Sequence, residues 1–202
     1  MATIYDLKPR FQALLRPLSD RLAAAGITPN QVTLAALLLS LAEGLALALA
    51  PGAAWPLLLL PPVLFLRMAL NAIDGMLARE HHMQSALGAV LNELGDVVSD
   101  AVLYLPLALH PGLPAALVVG IVLLGIVAET SGVVAVQIGA SRRYDGPLGK
   151  SDRAFLFGLI ALLLGLGLPP GGWSTAVLAA GLALALITPV NRARRALEEI
   201  AS

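Results

Sequence analysis

The sequence predicts an all-α integral membrane protein: a bundle of six transmembrane helices with an N-terminal amphipathic interfacial helix and both termini in the cytoplasm. Of the 202 residues, 58% are hydrophobic and 13% are charged, whereas ordinary soluble domains have about 45–50% and about 25%. The charges are confined to short stretches between long apolar segments. Composition and charge pattern together disfavour a water-soluble globule.

Charge balance and cysteine content exclude several functions. Thirteen basic and thirteen acidic residues cancel, so we expect no nucleic-acid partner. The chain has no cysteine, which excludes disulfides, thiolate metal sites and a catalytic thiol. The absence of cysteine does not locate the protein in the cell.

The first segment, residues 1–26, is predicted to form a juxtamembrane amphipathic helix lying on the inner leaflet. Its apolar residues recur at helical spacing, with the basic residues elsewhere: Ile4, Leu7, Phe11, Leu14, Leu15, Leu18, Leu22 and Ala25. Pro17 would kink this helix, and a partly ordered basic arm is the alternative. No unbroken apolar run follows the early charges, so a cleavable signal peptide is not predicted.

Six segments are long and apolar enough for a membrane crossing of about 20 residues, although the fifth is short. They are residues 30–50, 55–79, 85–109, 113–138, 154–168 and 173–190. Residues 154–191 contain no Asp, Glu, Lys or Arg, and Pro169 to Gly172 divides this run as an external turn would. The transmembrane domain is therefore residues 27–190, followed by a basic and acidic cytoplasmic tail over 191–202.

The orientation follows from the basic residues, which occupy alternate connections. They precede the first span, close the second, separate the fourth from the fifth and follow the sixth: Lys8, Arg10, Arg16, Arg21, Arg79, Arg142, Arg143, Lys150, Arg153, Arg192, Arg194 and Arg195. Cytoplasmic loops carry the Lys and Arg excess. Both termini are therefore expected in the cytoplasm, in a multi-pass protein of the inner (cytoplasmic) membrane.

Polar residues in the second and third spans are the candidate functional residues, because ionisable groups inside a membrane are costly and face a protein interior or a cavity. At about 100° per residue they form one stripe on each helix: Arg67, Asn71, Asp74, Gly75 and Ala78 on the second, and Gly88, Asn92, Glu93, Asp96 and Asp100 on the third. The short link at residues 80–84 predicts antiparallel packing that brings Arg67 to the depth of Asp96.

Carboxylate and amide oxygens around one cavity favour a hard divalent cation, Mg²⁺ or Mn²⁺, over zinc. The alternative is that these groups only hold the helices together, which explains one or two Asn better than two full stripes. His81 and His82 are interpreted as loop residues rather than ligands. The isolated Glu43 and Glu129 are each expected either to line the same cavity or to form a protonated helix contact.

The motif Asn71-Ala-Ile-Asp74-Gly75-Met-Leu-Ala78-Arg79, eight residues, then Gly88-x3-Asn92-x3-Asp96 resembles the signature of the CDP-alcohol phosphatidyltransferase family, D-x2-D-G-x2-A-R-x8-G-x3-D-x3-D. Residues 27–33 also resemble the segment with which many members enter their first span. This chain has Asn at 71 and 92 where the family usually has Asp. It is similar in this to a bacterial inner-membrane branch with an N-x2-D-G-x2-A-R motif.

The resemblance implies an enzyme of phospholipid biosynthesis, working as a homodimer, that transfers a phosphatidyl group from a lipid such as CDP-diacylglycerol to an acceptor alcohol and releases CMP. Asp96 would be the general base. Metal ligands would be Asn71, Asp74, Asn92 and Asp96, with Glu93 and Asp100 restoring the charge lost at the two Asn. The implied CDP-binding residues are Asn71, Asp74, Gly75, Ala78, Arg79 and Gly88.

Several basic residues have two interpretations. Arg142, Arg143, Lys150 and Arg153 suit a positive-inside anchor with a helix cap at Ser151 or Asp152, and equally an anion pocket for a phosphate of the acceptor or lipid. Arg67 either balances the acids or contacts a phosphate. Residues 192–195 are expected to anchor the chain at the membrane surface. The alternative functions are a non-catalytic CDP-lipid-binding relative and a small cation-dependent transporter.

Overall fold

The computed structural model describes residues 4–201, with side-chain placement from Arg10 to Ala201, as helices joined by short connections. No strand occurs in that range. Residues 1–3 of the predicted amphipathic helix and Ser202 of the predicted tail lie outside the described residues, as do the side chains of Ile4, Leu7 and Lys8. The all-helical architecture expected from the sequence is confirmed over the described chain.

Each predicted span coincides with helix in the structure. The elements are α1 (Ile4–Ala24), α2 (Pro29–Leu49), α3 (Ala54–Glu80), α4 (Ala86–Tyr104) with a 3-10 extension (Leu105–Leu109), α5 (Ala115–Gln137), α6 (Lys150–Gly165) and α7 (Gly172–Ile200). Two boundaries differ from expectation. Helix α6 begins at Lys150, because Asp152 caps its first turn, and α7 continues through residues 191–200, where a separate tail was expected.

Four of these helices, α2, α3, α5 and α7, are long and apolar enough to cross a membrane by themselves. Helix α4 carries three acids, Glu93, Asp96 and Asp100, within its 19 residues, and α6 has only 16 residues. The protein is therefore a multi-pass membrane protein with four strongly apolar helices among the described residues. The crossing by α4 and α6 and the orientation of the termini stay predictions.

The chain forms two compact units. The first comprises residues up to Ala42 together with Pro62–Ser99, and the second comprises Glu43–Pro61 together with residues from Asp100 onward. Helices α2, α3 and α4 each contribute one part to each unit. The polar motif around residues 67–96 lies in the first unit, whereas the basic residues around 142–153 lie in the second.

In the first unit, α1 packs against α2 and α3. Its Leu15, Leu22 and Ala23 contact a small core of Val32, Ile73 and Leu77. Arg16 donates two hydrogen bonds to the Glu80 carboxylate, at 3.0 and 3.1 Å, and His81 lies 3.2 Å from Asp20. The segment is a helix that continues past Pro17, rather than a partly ordered arm.

In the second unit, close helix contacts depend on glycine. A Cβ at Gly44 on α2 would collide with the Val102 carbonyl of α4, and one at Gly165 would lie 2.8 Å from Leu58. Tyr104 and Phe157 stack with their ring centroids 4.5 Å apart. Small residues of this kind let membrane helices approach closely, where lipid gives little hydrophobic drive for association.

Candidate active site

The turn between α3 and α4 sets the two motif-bearing helices side by side in the first unit. The Met83 amide donates to the Ala78 carbonyl at 3.1 Å, and His82 has a positive φ of 55°. This is the pattern of a helix C-terminus closed by one left-handed residue. The Ser85 hydroxyl oxygen then accepts a hydrogen bond from the Gly88 amide at 3.0 Å and caps α4.

Asp96 is the point at which the two polar stripes meet. Its Oδ1 accepts a hydrogen bond from Asn71 Nδ2 at 2.9 Å and another from Arg67 Nη2 at 3.3 Å. Arg67 Nη2 also donates to the Asp96 carbonyl at 3.1 Å. The expected level of Arg67 beside Asp96 is therefore confirmed. Arg67 is buried, while the Asp96 side chain is 27% exposed, so this carboxylate is accessible.

Asp74, the second motif carboxylate, is held by a residue that sequence reasoning missed. Thr33 on α2 donates from Oγ1 to Asp74 Oδ2 at 3.0 Å, and the same hydroxyl lies 3.1 Å from the Pro29 carbonyl. Asp74 itself is buried. The only sequence signal for Thr33 was its place in the family-like segment at residues 27–33, which carried no residue role.

Two glycines of the motif let polar side chains approach the backbone closely. A Cβ at Gly75 would lie 2.7 Å from Nη2 of Arg79, one turn along α3, and a Cβ at Gly88 would lie 2.8 Å from Asn30 Oδ1. Arg79 is exposed, while Gly75, Ala78 and Gly88 are half-buried. The guanidinium of Arg79 therefore lies over Gly75, next to the backbone that the sequence assigned to the CDP group.

The predicted metal ligands are only partly brought together. Within residues 10–201, whose side chains the structure describes, no three His, Asp or Glu side chains form a group able to hold a metal ion. Asn at positions 71 and 92 leaves two acids, Asp74 and Asp96, at the four motif positions. Asn92 and Glu93 lie half-buried on α4. The oxygens available still fit a hard cation, and the bond from Thr33 is of the kind that orients carboxylate ligands.

Asp100, the last residue of the predicted acidic stripe, belongs to the second unit and has a cationic partner there. Its Oδ2 accepts a hydrogen bond from Arg153 Nη2 at 2.9 Å, and both side chains are at least 90% buried. The same Arg153 Nη2 lies 3.1 Å from Glu129 Oε1. The sequence assigned Asp100 to metal and Arg153 to phosphate, whereas in the structure the two neutralise each other.

Arg142 and Arg143, two further predicted phosphate-binding cations of the second unit, also contact acids. Arg142 Nη2 lies 3.2 Å from Glu129 Oε2, and Arg143 donates to both Asp145 and Glu199, at 2.8 and 2.7 Å. Hydrogen bonds from Arg143 lower the pKa of the Asp145 carboxyl below its usual value. Lys150, which is half-buried, opens α6.

Two expectations for the remaining charges were wrong. Arg192 is not a membrane-surface anchor: it is 1% exposed and contacts Glu129 at 3.2 Å. Of the two alternatives expected for Glu129, the protonated helix contact is wrong, because its carboxylate is the shared partner of three arginines. An isolated acid in an apolar span was the signal, because a buried charge requires a counter-charge. Glu43 is buried in α2, next to the close contact at Gly44.

A phosphotransfer enzyme of the membrane is the class that this fold and the spaced motif define. The model of the CDP-alcohol phosphatidyltransferase family matches residues 26–187. The chain therefore belongs to the CDP-alcohol phosphatidyltransferase family, a family of enzymes that transfer phosphatidyl groups from CDP-alcohols.

Individual relatives extend this result. The chain is 48% identical to the inner membrane protein YnbA of Escherichia coli (strain K12) over 197 residues, 96% of each chain. Its fold resembles that of Mycobacterium tuberculosis phosphatidylinositol phosphate synthase in complex with manganese and citrate, with a TM-score of 0.75, 21% identity, and coverage of 90% of this chain and 88% of that one. The form with CDP-DAG bound matches with a TM-score of 0.69 and 21% identity, covering 91% and 92%. At this identity the likeness establishes the fold.

Proposed function

We propose that the protein transfers the phosphatidyl group of a CDP-linked lipid such as CDP-diacylglycerol to the hydroxyl of an acceptor alcohol, releasing CMP, in phospholipid biosynthesis. The observation that carries this proposal is the accessible Asp96 carboxylate, fixed by Asn71 and Arg67 within a motif that matches the family in every spacing. The fold shared with a synthase that has CDP-DAG bound supports it.

Asp96 acts as the general base in this proposal. It takes the proton of the acceptor hydroxyl while the acceptor oxygen forms a bond to the lipid-bearing phosphorus. The phosphoanhydride bond between that phosphorus and CMP breaks, and CMP leaves with the bonding electrons. Asn71 and Arg67 hold the carboxylate in one orientation, and a positioned base of this kind contributes about 100- to 10,000-fold to the rate.

A divalent cation, Mg²⁺ or Mn²⁺, fits beside this base. Asp74, Asp96 and the amide oxygens of Asn71 and Asn92 would hold it, with Glu93 supplying further charge. When bound, it neutralises a diphosphate and polarises the phosphorus under attack. The related synthase in complex with manganese supports this choice. Gly75, Ala78 and Gly88 would leave room for the CDP group, and Arg79 would meet its phosphates.

We also propose the membrane arrangement that this chemistry needs. Helices α4 and α6 cross with the four apolar helices, so that six crossings leave both termini in the cytoplasm with the nucleotide, and α1 lies on the inner leaflet. The inner membrane relative supports this location. A homodimer is proposed from the family resemblance.

The test is CMP release by the purified protein in lipid nanodiscs with CDP-diacylglycerol and a panel of acceptors. The panel contains glycerol, inositol, an amino alcohol, the phosphates of glycerol and inositol, and a second lipid. We expect CMP and lipid product in equal amounts with Mg²⁺ or Mn²⁺, and none after chelation with EDTA. No CMP with any acceptor would contradict the proposal.

A further inference from the structure

Three arginines of the second unit converge on the carboxylate of Glu129 in α5. Arg153 Nη2 lies 3.1 Å from Oε1, while Arg142 Nη2 and Arg192 Nη1 each lie 3.2 Å from Oε2. Arg153 and Arg192 are 2% and 1% exposed, and Glu129 is also buried. Each oxygen of this carboxylate is therefore held by guanidinium groups in an environment removed from water.

Helix α5 is shaped to receive these side chains. Gly125 and Gly132 lie one turn on either side of Glu129. A Cβ at Gly125 would lie 2.9 Å from Arg153 Nε, and one at Gly132 would collide with Arg142 Nη1. The arginine cluster depends on glycine at both positions, because any larger residue would displace a guanidinium group.

Other donors of the arginine cluster bond backbone carbonyls. Such contacts fix the segment between α5 and α6 against α7, and they reduce the number of N–H groups left for another anion. The bonds are Arg142 Nη1 to Arg143 O at 2.8 Å, Arg153 Nη1 to Leu148 O at 3.4 Å, Arg192 Nε to Asp145 O at 3.1 Å and Arg192 Nη1 to Ala128 O at 2.6 Å.

Planar guanidinium groups bind phosphate and carboxylate in the same forked geometry. The basic residues of this segment suggested a phosphate pocket, but the structure fills that position with a carboxylate of the chain. We propose that Glu129 is the built-in anion of the arginine cluster and determines the substrate class, closing the cluster to phosphate. On the proposed function, from which this last step follows, the acceptor alcohol is not recruited through a phosphate group at these arginines.

Displacing Glu129 would be costly for an incoming phosphate. The leaving carboxylate would lose three cationic partners inside a membrane helix, and an uncompensated buried charge is strongly destabilising. Asp100 supplies a second negative charge to Arg153 at 2.9 Å, so two carboxylates already balance most of the charge of three arginines.

The first test measures phosphate binding without any reaction. Thermal unfolding of the full chain in detergent is followed with rising inorganic phosphate against chloride at matched ionic strength, in EDTA so that no metal recruits phosphate. We expect the two salts to give the same midpoint for the wild-type protein. A saturable phosphate shift that Arg142→Gln removes would overturn the proposal, whereas one that Arg142→Gln leaves intact arises elsewhere and agrees with a closed cluster.

The second test opens the cluster with Glu129→Gln, which keeps the size and removes the charge. We expect this variant to gain a saturable phosphate-dependent shift of about 3 °C at phosphate about tenfold above its dissociation constant. Glu198→Gln, at an exposed acid that pairs with Arg194 on the same helix, is the control and should gain none. A folded Glu129→Gln protein without the gain would overturn the proposal, and if it does not fold the wild-type measurement decides.

Transfer rates then test the substrate class. Comparing glycerol with glycerol 3-phosphate, and inositol with inositol phosphate, we expect wild-type kcat/KM not to favour the phosphorylated partner, and Glu129→Gln to shift the ratio toward it about tenfold. A wild-type preference for the phosphorylated acceptor that Arg142→Gln abolishes would overturn this inference while supporting the proposed transferase. Absence of CMP with every acceptor would instead refute the transferase, and the phosphate-binding tests would still decide the role of Glu129.

Discussion

The two units differ in how exposed the carboxylates are that their buried arginines bind. In the first unit, Asp96 receives hydrogen bonds from Asn71 and Arg67 while its side chain stays 27% exposed. In the second, Arg153 and Arg192 are almost completely buried and are bonded both to carboxylates and to backbone carbonyls. The first unit keeps a partly exposed carboxylate, whereas the charged side chains of the second unit bind one another.

This difference distinguishes residues that are candidates for the reaction from residues that stabilise the fold. An ionisable residue in a membrane helix is a candidate functional residue by default, but a carboxylate that is buried among arginines, as Glu129 is, holds the fold together. On the proposed function, the first unit carries the reaction, whereas the arginine cluster stabilises the second. Substitutions in the first unit should change activity more than stability, and those in the second should change stability first.

Asp96→Asn should have the largest effect on activity. The variant keeps an oxygen to accept the hydrogen bond from Asn71 but cannot take a proton, so we expect CMP release by the folded variant to fall about 1,000-fold. The measurement is CMP formation at saturating CDP-diacylglycerol. Asp20→Asn, on the exposed face of α1, is the matched control and should retain activity. Unchanged turnover in Asp96→Asn would remove the general-base assignment.

Asn71→Asp should have the next largest effect on activity. It restores the usual family residue, but it replaces an amide that donates to Asp96 at 2.9 Å with a second carboxylate, and like charges this close repel. We expect activity to fall about 10- to 100-fold, as for loss of a group that orients a metal site or its ligands, measured across a Mg²⁺ and Mn²⁺ titration. A gain in activity would instead identify a degenerate enzyme whose Asn residues weaken metal binding.

The sequence predicted the helices and the proximity of Arg67 to Asp96, because both depend on local patterns. Apolar runs of membrane length and breaks at Pro and Gly locate α2 to α7, and helical periodicity with a short link at residues 80–84 brings Arg67 to Asp96. These are relations along one helix or across one turn, and they need no knowledge of distant packing.

The sequence could not reveal partners that come together only through tertiary packing. Arg153, Arg192 and Glu129 come from three helices and are separated by at least 24 residues, so no spacing rule links them. Their basic neighbours also fit the positive-inside rule equally well. For the same reason Thr33 was missed as the partner of Asp74, because the two residues lie on different helices and are 41 positions apart.

The same substitution at two glycines sharpens the comparison between the units. Gly75→Ala meets only the mobile end of exposed Arg79, and alanine favours helix by about 0.5–1 kcal/mol, so stability should hold while kcat/KM falls about tenfold. In Gly125→Ala the new methyl group meets Arg153, which is held by Asp100 and Glu129. Overpacking of this kind costs about 1–3 kcal/mol. Thermal unfolding and CMP release on both variants check the contrast, and equal loss of stability in both would contradict it.

Substitutions at two threonines, one in each unit, should give the smallest difference between the units. Thr33→Val removes the hydrogen bond to Asp74, so we expect the metal concentration for half-maximal activity to rise about tenfold, since such outer partners are worth about 10- to 100-fold in affinity. Thr188→Val leaves the buried Leu148 amide, now bonded to Thr188 Oγ1 at 3.2 Å, without its acceptor, at a cost of about 1–3 kcal/mol. Thr33→Ser should restore the metal dependence, because it returns the hydroxyl. If Thr33→Val lowers the melting temperature as much as Thr188→Val and leaves the metal titration unchanged, then Thr33 is a packing residue and the first unit is less specialised for chemistry than its contacts indicate.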